Sequence, residues 1–437
     1  MKLITRMLPL TAALLLASAA QAQDAAKFKA EVTGQVDGMY PKLDALYKDL
    51  HAHPEIAFQE VQTAARLAAE MRALGFEVTE KVGKTGLVAI YKNGAGPTVM
   101  VRTELDGLPM EEKTGLPYAS KAHAQLDGRD TFVTHSCGHD VHMSAWVGTA
   151  RTLLALKGKW KGTLMFIAQP AEEVGAGARA MLADGLFTRF PKPDYAFALH
   201  SWPNAYGTIG YESGPVSSTS DGLEILFKGR GGHGSAPDQS IDPITIAARF
   251  VVDVQAVVSR EKNPKEFGVV TIGAFNGGTV GNIIPDNVQL KGTIRTYNPD
   301  VRTKLLDGVR RTAYASAAMA GAPEPEVKLI ANGMSIINND KVVKSTELVL
   351  KKAFGDKAFR MPAMTASEDF SVFVNEGVPS MFFFTGIYDP KAVAESNAPG
   401  GKPLAFNHSP FYAPVPEPSI KTGVEAMTLA VLNVMAH

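Results

Sequence analysis

Cys137 is the only cysteine of the 437-residue chain, and it stands in Thr134-His135-Ser136-Cys137-Gly138-His139-Asp140-Val141-His142. A thiol set among imidazoles and a carboxylate keeps the company of a metal-bound thiolate. Cys137 and His139 flank one glycine, so a tight turn lets sulfur and imidazole converge on one centre. Glu172 and Glu173 are adjacent, His200 closes an apolar run, and His408 sits in Asn407-His408-Ser409-Pro410. Adjacent carboxylates need not share a task. One can bind metal while its neighbour faces the attacking water, the division that metal-assisted hydrolysis requires. Each element alone is weak. A single histidine at a strand end is more often structural, a Glu-Glu pair is usually solvated, and a buried cysteine usually acts as a small hydrophobe. Cys137, His139, the glutamates, His200 and His408 reaching one sheet edge are harder to dismiss. A closed structural zinc site would normally use four ligands, often in paired motifs. Five candidates and a spare glutamate point instead to an open or two-metal site.

The elements that must position these groups follow from the apolar runs. Thr98–Arg102 leads to Glu104 and Asp106, Thr163–Ala168 to Glu172 and Glu173, Tyr195–Leu199 to His200, and Pro379–Phe384 to Thr385-Gly386. Continuous apolarity predicts strands buried on both faces of a mainly parallel sheet. Helical stretches are expected at Lys42–Leu50, Glu60–Leu74, Val141–Leu156 and Ala176–Leu186. Open α/β sheets bind ligands beyond the carboxyl ends of their strands, where these acids and His200 fall. The middle of the chain alternates apolar and polar residues, as at Leu223–Lys228 and Val288–Arg295, which suits antiparallel strands with one solvated face. With helices at Asp242–Arg260 and Pro299–Ala320 and strands at Phe267–Phe275 and Glu326–Ile330, the order is βαββαβ, a ferredoxin-like unit. Asp242 and Asn298 precede prolines and are expected to cap those helices. The predicted fold is therefore α/β: a catalytic domain in two parts, 23–215 and 333–437, with the insertion at 216–332.

Lys+Arg and Asp+Glu both total 44, which removes the electrostatic case for nucleic acid or acidic membranes as partners. Lys2 and Arg6 precede an apolar run over Leu8–Ala20, and Ala20-Gln21-Ala22 fits a small-x-small cleavage site. Residues 1–22 are expected to be an export signal, cut before Gln23, and the mature protein to be periplasmic or secreted. No stretch is long enough to anchor it in a bilayer. In an oxidising compartment a lone cysteine has no internal disulfide partner.

Assembled, these segments resemble the aminoacylase, hippurate hydrolase and auxin-amino-acid-conjugate hydrolase family, the amidohydrolase branch of the carboxypeptidase-G-like di-metal peptidases. The resemblance runs through essentially the whole mature chain. It is carried by Leu50-His51-Ala52-His53-Pro54-Glu55, Arg102–Pro109, Cys137-Gly138-His139-Asp140-Val141-His142 and Gln169-Pro170-Ala171-Glu172-Glu173. Gly231-Gly232-His233-Gly234, Asn282-Ile283-Ile284-Pro285, Gly292–Arg295, Ser367–Phe370 and His408-Ser409-Pro410 complete it. The resemblance implies that Cys137, His139, Glu173, His200 and His408 hold two divalent ions and that Glu172 is the general base. It implies that His233 and Asn282, on a lid, polarise the scissile carbonyl or grip the substrate. In relatives this histidine comes from the partner subunit, so a homodimer is implied. Arg295 is read either as a substrate-carboxylate anchor or as a solvated strand-face charge. His142 is read as supporting the ligands, and His51, His53 and Asp106 as structural or supporting groups.

Two departures bear on substrate choice. Glu104 stands where the family has Asp, preceded by Thr103 in place of Ala, and the segment before His408 is long and carries Pro399-Gly400-Gly401. The expected activity is metal-dependent hydrolysis of the amide of an N-acyl amino acid or related small conjugate. A dipeptidase or carboxypeptidase on the same site is the nearest alternative, and a non-catalytic metal or small-molecule binding protein the alternative from another class. Thiolate and imidazole ligands favour zinc, while manganese, cobalt and nickel also suit a two-metal site with carboxylates.

Overall fold

The computed structural model describes residues 25–436, so the expected export segment lies outside the described residues. The chain divides into two compact units. The first takes the described residues up to Gly214, Asn338–Pro362 and the described residues from Val372 on; the second takes Pro215–Ile337 and Ala363–Ser371. Where the sequence reading closes the insertion at residue 332, the second unit runs to Ile337 and takes up a further short segment.

The first unit is built on an eight-stranded sheet in the order Glu77–Val82, Gly86–Asn93, Gly162–Gln169, Thr98–Glu104, Tyr195–Ala205, Ser380–Tyr388, Ile209–Tyr211 and Ala358–Arg360. The four central strands, Gly162–Gln169 through Ser380–Tyr388, run parallel, and antiparallel joins flank them on both sides. Every residue of Ser380–Tyr388 is buried, as are all but the first of Thr98–Glu104. That is why these strands read as unbroken apolar runs. After Gly162–Gln169 the chain passes over Thr98–Glu104 to reach Tyr195–Ala205. This reversal is a topological switch point, and the carboxyl ends beside it carry Glu104, Glu172 and His200. Helices His139–Ala155, Lys29–Ala52 and Pro416–Met435 pack together and share the core with the sheet. Among the described residues no helix is long and apolar enough to cross a membrane.

Two helices differ from expectation. The helix expected at Lys42–Leu50 begins at Lys29 and carries Pro41 inside it. Gly34, Gly38 and Pro41 weaken its local signal, yet Val32, Val36, Leu43, Leu46 and Leu50 bury one face, and tertiary burial overrides propensity. The helix expected at Ala176–Leu186 is two short helices, Gly177–Ala183 and Leu186–Arg189, separated at Gly185, whose φ of 84° ends the first.

The second unit is a four-stranded antiparallel sheet in the order Gly268–Asn276, Asn287–Thr296, Ser220–Lys228, Glu326–Gly333, with helices Pro243–Ala256 and Pro299–Met319. Ser220–Lys228 alternates buried and half-buried residues, and its buried Leu223, Ile225 and Phe227 share a core with Phe250, Val254, Leu305 and Val309. Asp242 and Asn298 cap the two helices, accepting from the backbone N–H of Ile244 and Asp300. Asp221, 1% exposed, is held by both Nε and Nη2 of Arg302 at 2.9 and 2.6 Å. That fork ties the first strand to the second helix.

Candidate metal centre

The turn that carries Cys137 is shaped by Gly138, which has φ 89° and lies directly before the helix His139–Ala155. A side chain there would strain the backbone and strike the hydroxyl of Ser201. The glycine thus sets Cys137 and His139 on one concave turn. The Glu-Glu pair is fixed differently. Ala171 takes φ 51°, unusual for a residue with a Cβ, and its N–H donates to Glu60 Oε1 at 2.7 Å. The next two N–H groups, of Glu172 and Glu173, donate to the two oxygens of Asp106 at 3.0 Å each. Asp106 is therefore a clamp on the pair rather than a member of it. His408 also takes a left-handed φ, 67°, and its N–H donates to Ser136 O at 2.8 Å, which ties the distant loop to the cysteine turn.

The expected metal-binding side chains meet. Ligand atoms of Cys137, His139 and His200 lie within 4.8 Å of one another, as do those of Cys137, Glu173 and His408, and those of His139, Glu172 and Glu173. The triads overlap at Cys137, His139 and Glu173, so two adjacent ions could share them. The imidazole tautomers suit this. His139 Nδ1 is 2.7 Å from the carbonyl of Asp106, and His200 Nδ1 is 2.8 Å from the carbonyl of Ser201. A carbonyl only accepts, so each Nδ1 carries the proton and each Nε2 offers a lone pair. His200 Nε2 faces Cys137 Sγ at 3.5 Å. His139 Nε2 and Glu173 Oε1 are buried polar atoms with no hydrogen-bond partner among the described residues. Buried atoms of this kind are ordinarily satisfied, and a cation would satisfy both.

Electrostatics point the same way. Burial, then the charges of Glu173 and Glu172, hold the Cys137 thiol well above its ordinary range. Burial, then Glu173 and Glu60, push the Asp106 carboxyl up, and burial raises Glu104 against the pull of Arg102. Burial, then His142 and His200, hold His139 well below its ordinary range, which leaves it neutral as a ligand must be. A bound divalent cation would reverse the sign of the field on the thiol and the carboxylates. The donor set of thiolate, imidazoles and carboxylates therefore fits a di-metal centre.

A further triad, Glu104, His139 and His142, also lies within 4.8 Å. Hydrogen bonds give His142 a different task. The N–H of Ser201 donates to His142 Nε2 at 2.8 Å, so Nδ1 carries the proton and donates to Glu104 Oε2 at 3.1 Å. Both nitrogens are used. Glu104, which also pairs with Arg102, thus orients His142, and His142 orients the strand end that bears His200. Three further residues support the turn, of which Ser201 and Tyr412 carry no signal in the sequence and Asn407 stands beside His408 in its motif. Ser201 Oγ contacts Tyr412 OH at 2.8 Å and donates to Cys137 O at 3.1 Å. Asn407 Nδ2 donates to Cys137 O at 3.2 Å and stands 3.8 Å from its sulfur.

His51 lies behind the turn, 1% exposed, between Asp140 Oδ2 at 2.6 Å and Glu112 Oε1 at 3.1 Å. Burial opposes its charge, but the hydrogen bonds it donates to Asp140 and Glu112 outweigh that and push its pKa up to about 10. A histidine raised above its unfolded value adds stability that is complete below about pH 6.5 and lost as pH rises through about 10. His51→Gln should lower stability near neutrality by about 3–5 kcal/mol, since it leaves buried carboxylates uncompensated. It should also flatten the fall of the urea midpoint between about pH 6.5 and 10. An unchanged alkaline limb in the variant would refute the charged bridge.

His233, Asn282 and Arg295 belong to the second unit. His233 pairs with Ile283 in a two-stranded ladder, and Gly234 N donates to Asn282 O at 2.8 Å, so His233 and Asn282 lie on paired segments. The N–H of Ser235 donates to His233 Nδ1 at 3.1 Å, which leaves the proton on Nε2. His233 therefore presents a donor. Arg295 Nη1 donates to Thr293 Oγ1 and to Ile294 O, and burial draws its pKa down.

An open α/β sheet with overlapping thiolate, imidazole and carboxylate triads at its switch point defines a metallohydrolase. Residues 100–433 match the family model described as Peptidase family M20/M25/M40. The chain belongs to this family and is an enzyme of metal-dependent amide hydrolysis. It is 35% identical over 350 residues to N-acetylcysteine deacetylase of Bacillus subtilis (strain 168), covering 79% of this chain and 88% of that one. It is 36% identical over 338 residues to hippurate hydrolase of Campylobacter jejuni, covering 76% and 85%. Among solved structures, a dinuclear metal binding peptidase of the M20 family from Bacillus subtilis shares 29% identity at a TM-score of 0.75, covering 91% of this chain and 99% of that one. An aminohydrolase from methicillin resistant Staphylococcus aureus, described as putative, shares 28% identity at a TM-score of 0.82, covering 93% and 100%.

Proposed function

We propose that this enzyme is a periplasmic hydrolase of N-acyl amino acids or closely related small conjugates, acting as a homodimer. Cys137, His139, Glu173, His200 and His408 would hold two divalent ions, of zinc, manganese, cobalt or nickel. When bound, such ions polarise a carbonyl and lower the pKa of water. The carrying observation is the third triad. Glu172 Oε2 stands 3.8 Å from His139 Nε2, while Glu173 Oε2 turns to His408 Nε2 at 3.2 Å. Of two adjacent carboxylates clamped by one aspartate, Glu173 belongs with the ligands and Glu172 stands beside them. Glu172 takes a proton from the attacking water and returns it to the leaving nitrogen. His233 Nε2–H donates to the carbonyl oxygen as negative charge develops there, with Asn282 on the paired segment holding the substrate. Arg295 meets the substrate carboxylate.

A mass-spectrometric screen of the metal-loaded protein against N-acyl amino acids and dipeptides tests the reading. Release of free amino acid from N-acyl substrates supports it. Cleavage of dipeptides alone would shift it to a peptidase, and ligand retention without product release to a binding protein.

The thiolate supplies a separate check. Metal-loaded protein should resist alkylation at Cys137, and a chelator should speed the reaction by on the order of tenfold or more, because coordination ties up the sulfur lone pair. Mass analysis of the iodoacetamide adduct reads this directly. Equal rates with and without chelator would remove Cys137 from the ligand set.

A further inference from the structure

Trp202 and Phe406 stand where two ligand-bearing segments come together. Trp202 follows His200 by two residues on the strand Tyr195–Ala205. Side chains two apart on a strand leave the same face, and the intervening Ser201 is buried while both neighbours are partly open. Phe406 precedes His408 by two residues on the loop that returns to Ser136. The two rings meet edge to face, 4.9 Å apart at 84°. Behind Trp202 the rings continue inward: Phe384 at 5.7 Å, Phe382 at 5.4 Å from Phe384, and the imidazole of His200 at 6.4 Å from Phe382. Burial falls along this row. Phe382 and Phe384 are 0% and 2% exposed, Trp202 is half-buried, and Phe406 is 50% exposed. The row ends in two rings, Trp202 and Phe406, that are open to solvent and lie two residues along the chain from His200 and His408.

We propose that Trp202 and Phe406 form the subsite for the uncharged acyl end of the substrate and favour a flat aromatic acyl group over acetyl. The proposal rests on the N-acyl amino acid reading. The amino-acid end carries a carboxylate, and the faces of aromatic rings bear partial negative charge, so that end is disfavoured on this surface. An aryl group stacks on it and removes apolar area of both partners from water.

The experiment compares kcat/KM for N-benzoylglycine and N-acetylglycine in the metal-loaded parent, Trp202→Ala, Phe406→Ala and the conservative Phe406→Tyr. The parent should prefer the benzoyl substrate. The benzoyl-to-acetyl ratio should fall about tenfold or more in each alanine variant and recover in Phe406→Tyr. A ratio that stays constant while both rates fall together would overturn the subsite and leave the pair a structural support. A binding arm separates failure of this proposal from failure of the N-acyl amino acid reading. Trp146 and Trp160 are 2% and 0% exposed, so among the three tryptophans Trp202 is the one open to ligand. N-benzoylglycine titrated into metal-loaded Glu172→Gln protein should change tryptophan emission at lower concentration than N-acetylglycine, and Trp202→Phe should remove the change. If the parent hydrolyses neither compound, the N-acyl amino acid reading fails for glycine conjugates, and this arm still decides the subsite: no benzoyl preference in binding overturns it.

Discussion

Glu172→Gln should bind metal as the parent does and turn over about 10²–10⁴-fold more slowly, the usual contribution of a general base. The substitution keeps the shape of the side chain and the backbone N–H that Asp106 holds at 3.0 Å. It removes only the capacity to take a proton from water and return it to the leaving nitrogen. Glu173→Gln should behave differently. Glu173 shares a triad with Cys137 and His408 and faces His408 at 3.2 Å, so its loss should lower metal content as well as rate. Metal analysis by plasma mass spectrometry beside product release distinguishes the two. A folded, metal-loaded Glu172→Gln enzyme with parental turnover would refute the division of labour, and equal metal loss in both variants would make Glu172 a ligand.

The features that the sequence made legible are those carried by short-range spacing. Cys137-Gly138-His139 is local, since one glycine with positive φ decides it. Glu172-Glu173 and His200 follow apolar runs long enough to mark parallel strands. What stayed illegible depends on groups far apart in the chain. Glu60 grips Ala171 across 111 residues, and Asp106 clamps the glutamates from 66 and 67 residues away. Tyr412 reaches the cysteine turn from the far end of the chain with no motif to announce it, and Asn407, though beside His408 in its motif, gives no sign there of the bond it makes to Cys137. Helix Pro416–Met435 is illegible for a related reason. It is buried on nearly every side, so it lacks the polar stripe that a periodicity reading seeks. Helix Asp340–Phe354, absent from the expected elements, is amphipathic with an Asn339 cap, so its pattern is legible in the sequence. The departure at Glu104 was visible as a longer acid. Its consequence, a carboxylate that fixes the tautomer of His142, needed the fold.

His233→Ala should cost about 10²–10³ in turnover with metal content intact, as the loss of a donor to a developing oxyanion does. The more telling result is expected from mixing. His233 is exposed, and its donor nitrogen is fixed by Ser235 rather than by a partner of its own. The strand Gly268–Asn276 ends its sheet and shows Val269 and Phe275 at 37% and 42% exposure. An open edge with apolar side chains is a surface on which a second copy can pair. If the partner subunit supplies His233, the Glu172→Gln and His233→Ala proteins, each nearly inactive, should complement. In a mixed dimer the subunit with intact Glu172 receives the intact His233 of the other, so about one site in two works, and random exchange restores about a quarter of parental activity. If His233 serves its own subunit, every site in the mixed dimer lacks one group and activity stays at the level of the separate variants. Sedimentation of the mixture must show dimers that exchange, or the variants must be co-expressed. A monomer in sedimentation with full activity would rule out the shared site altogether.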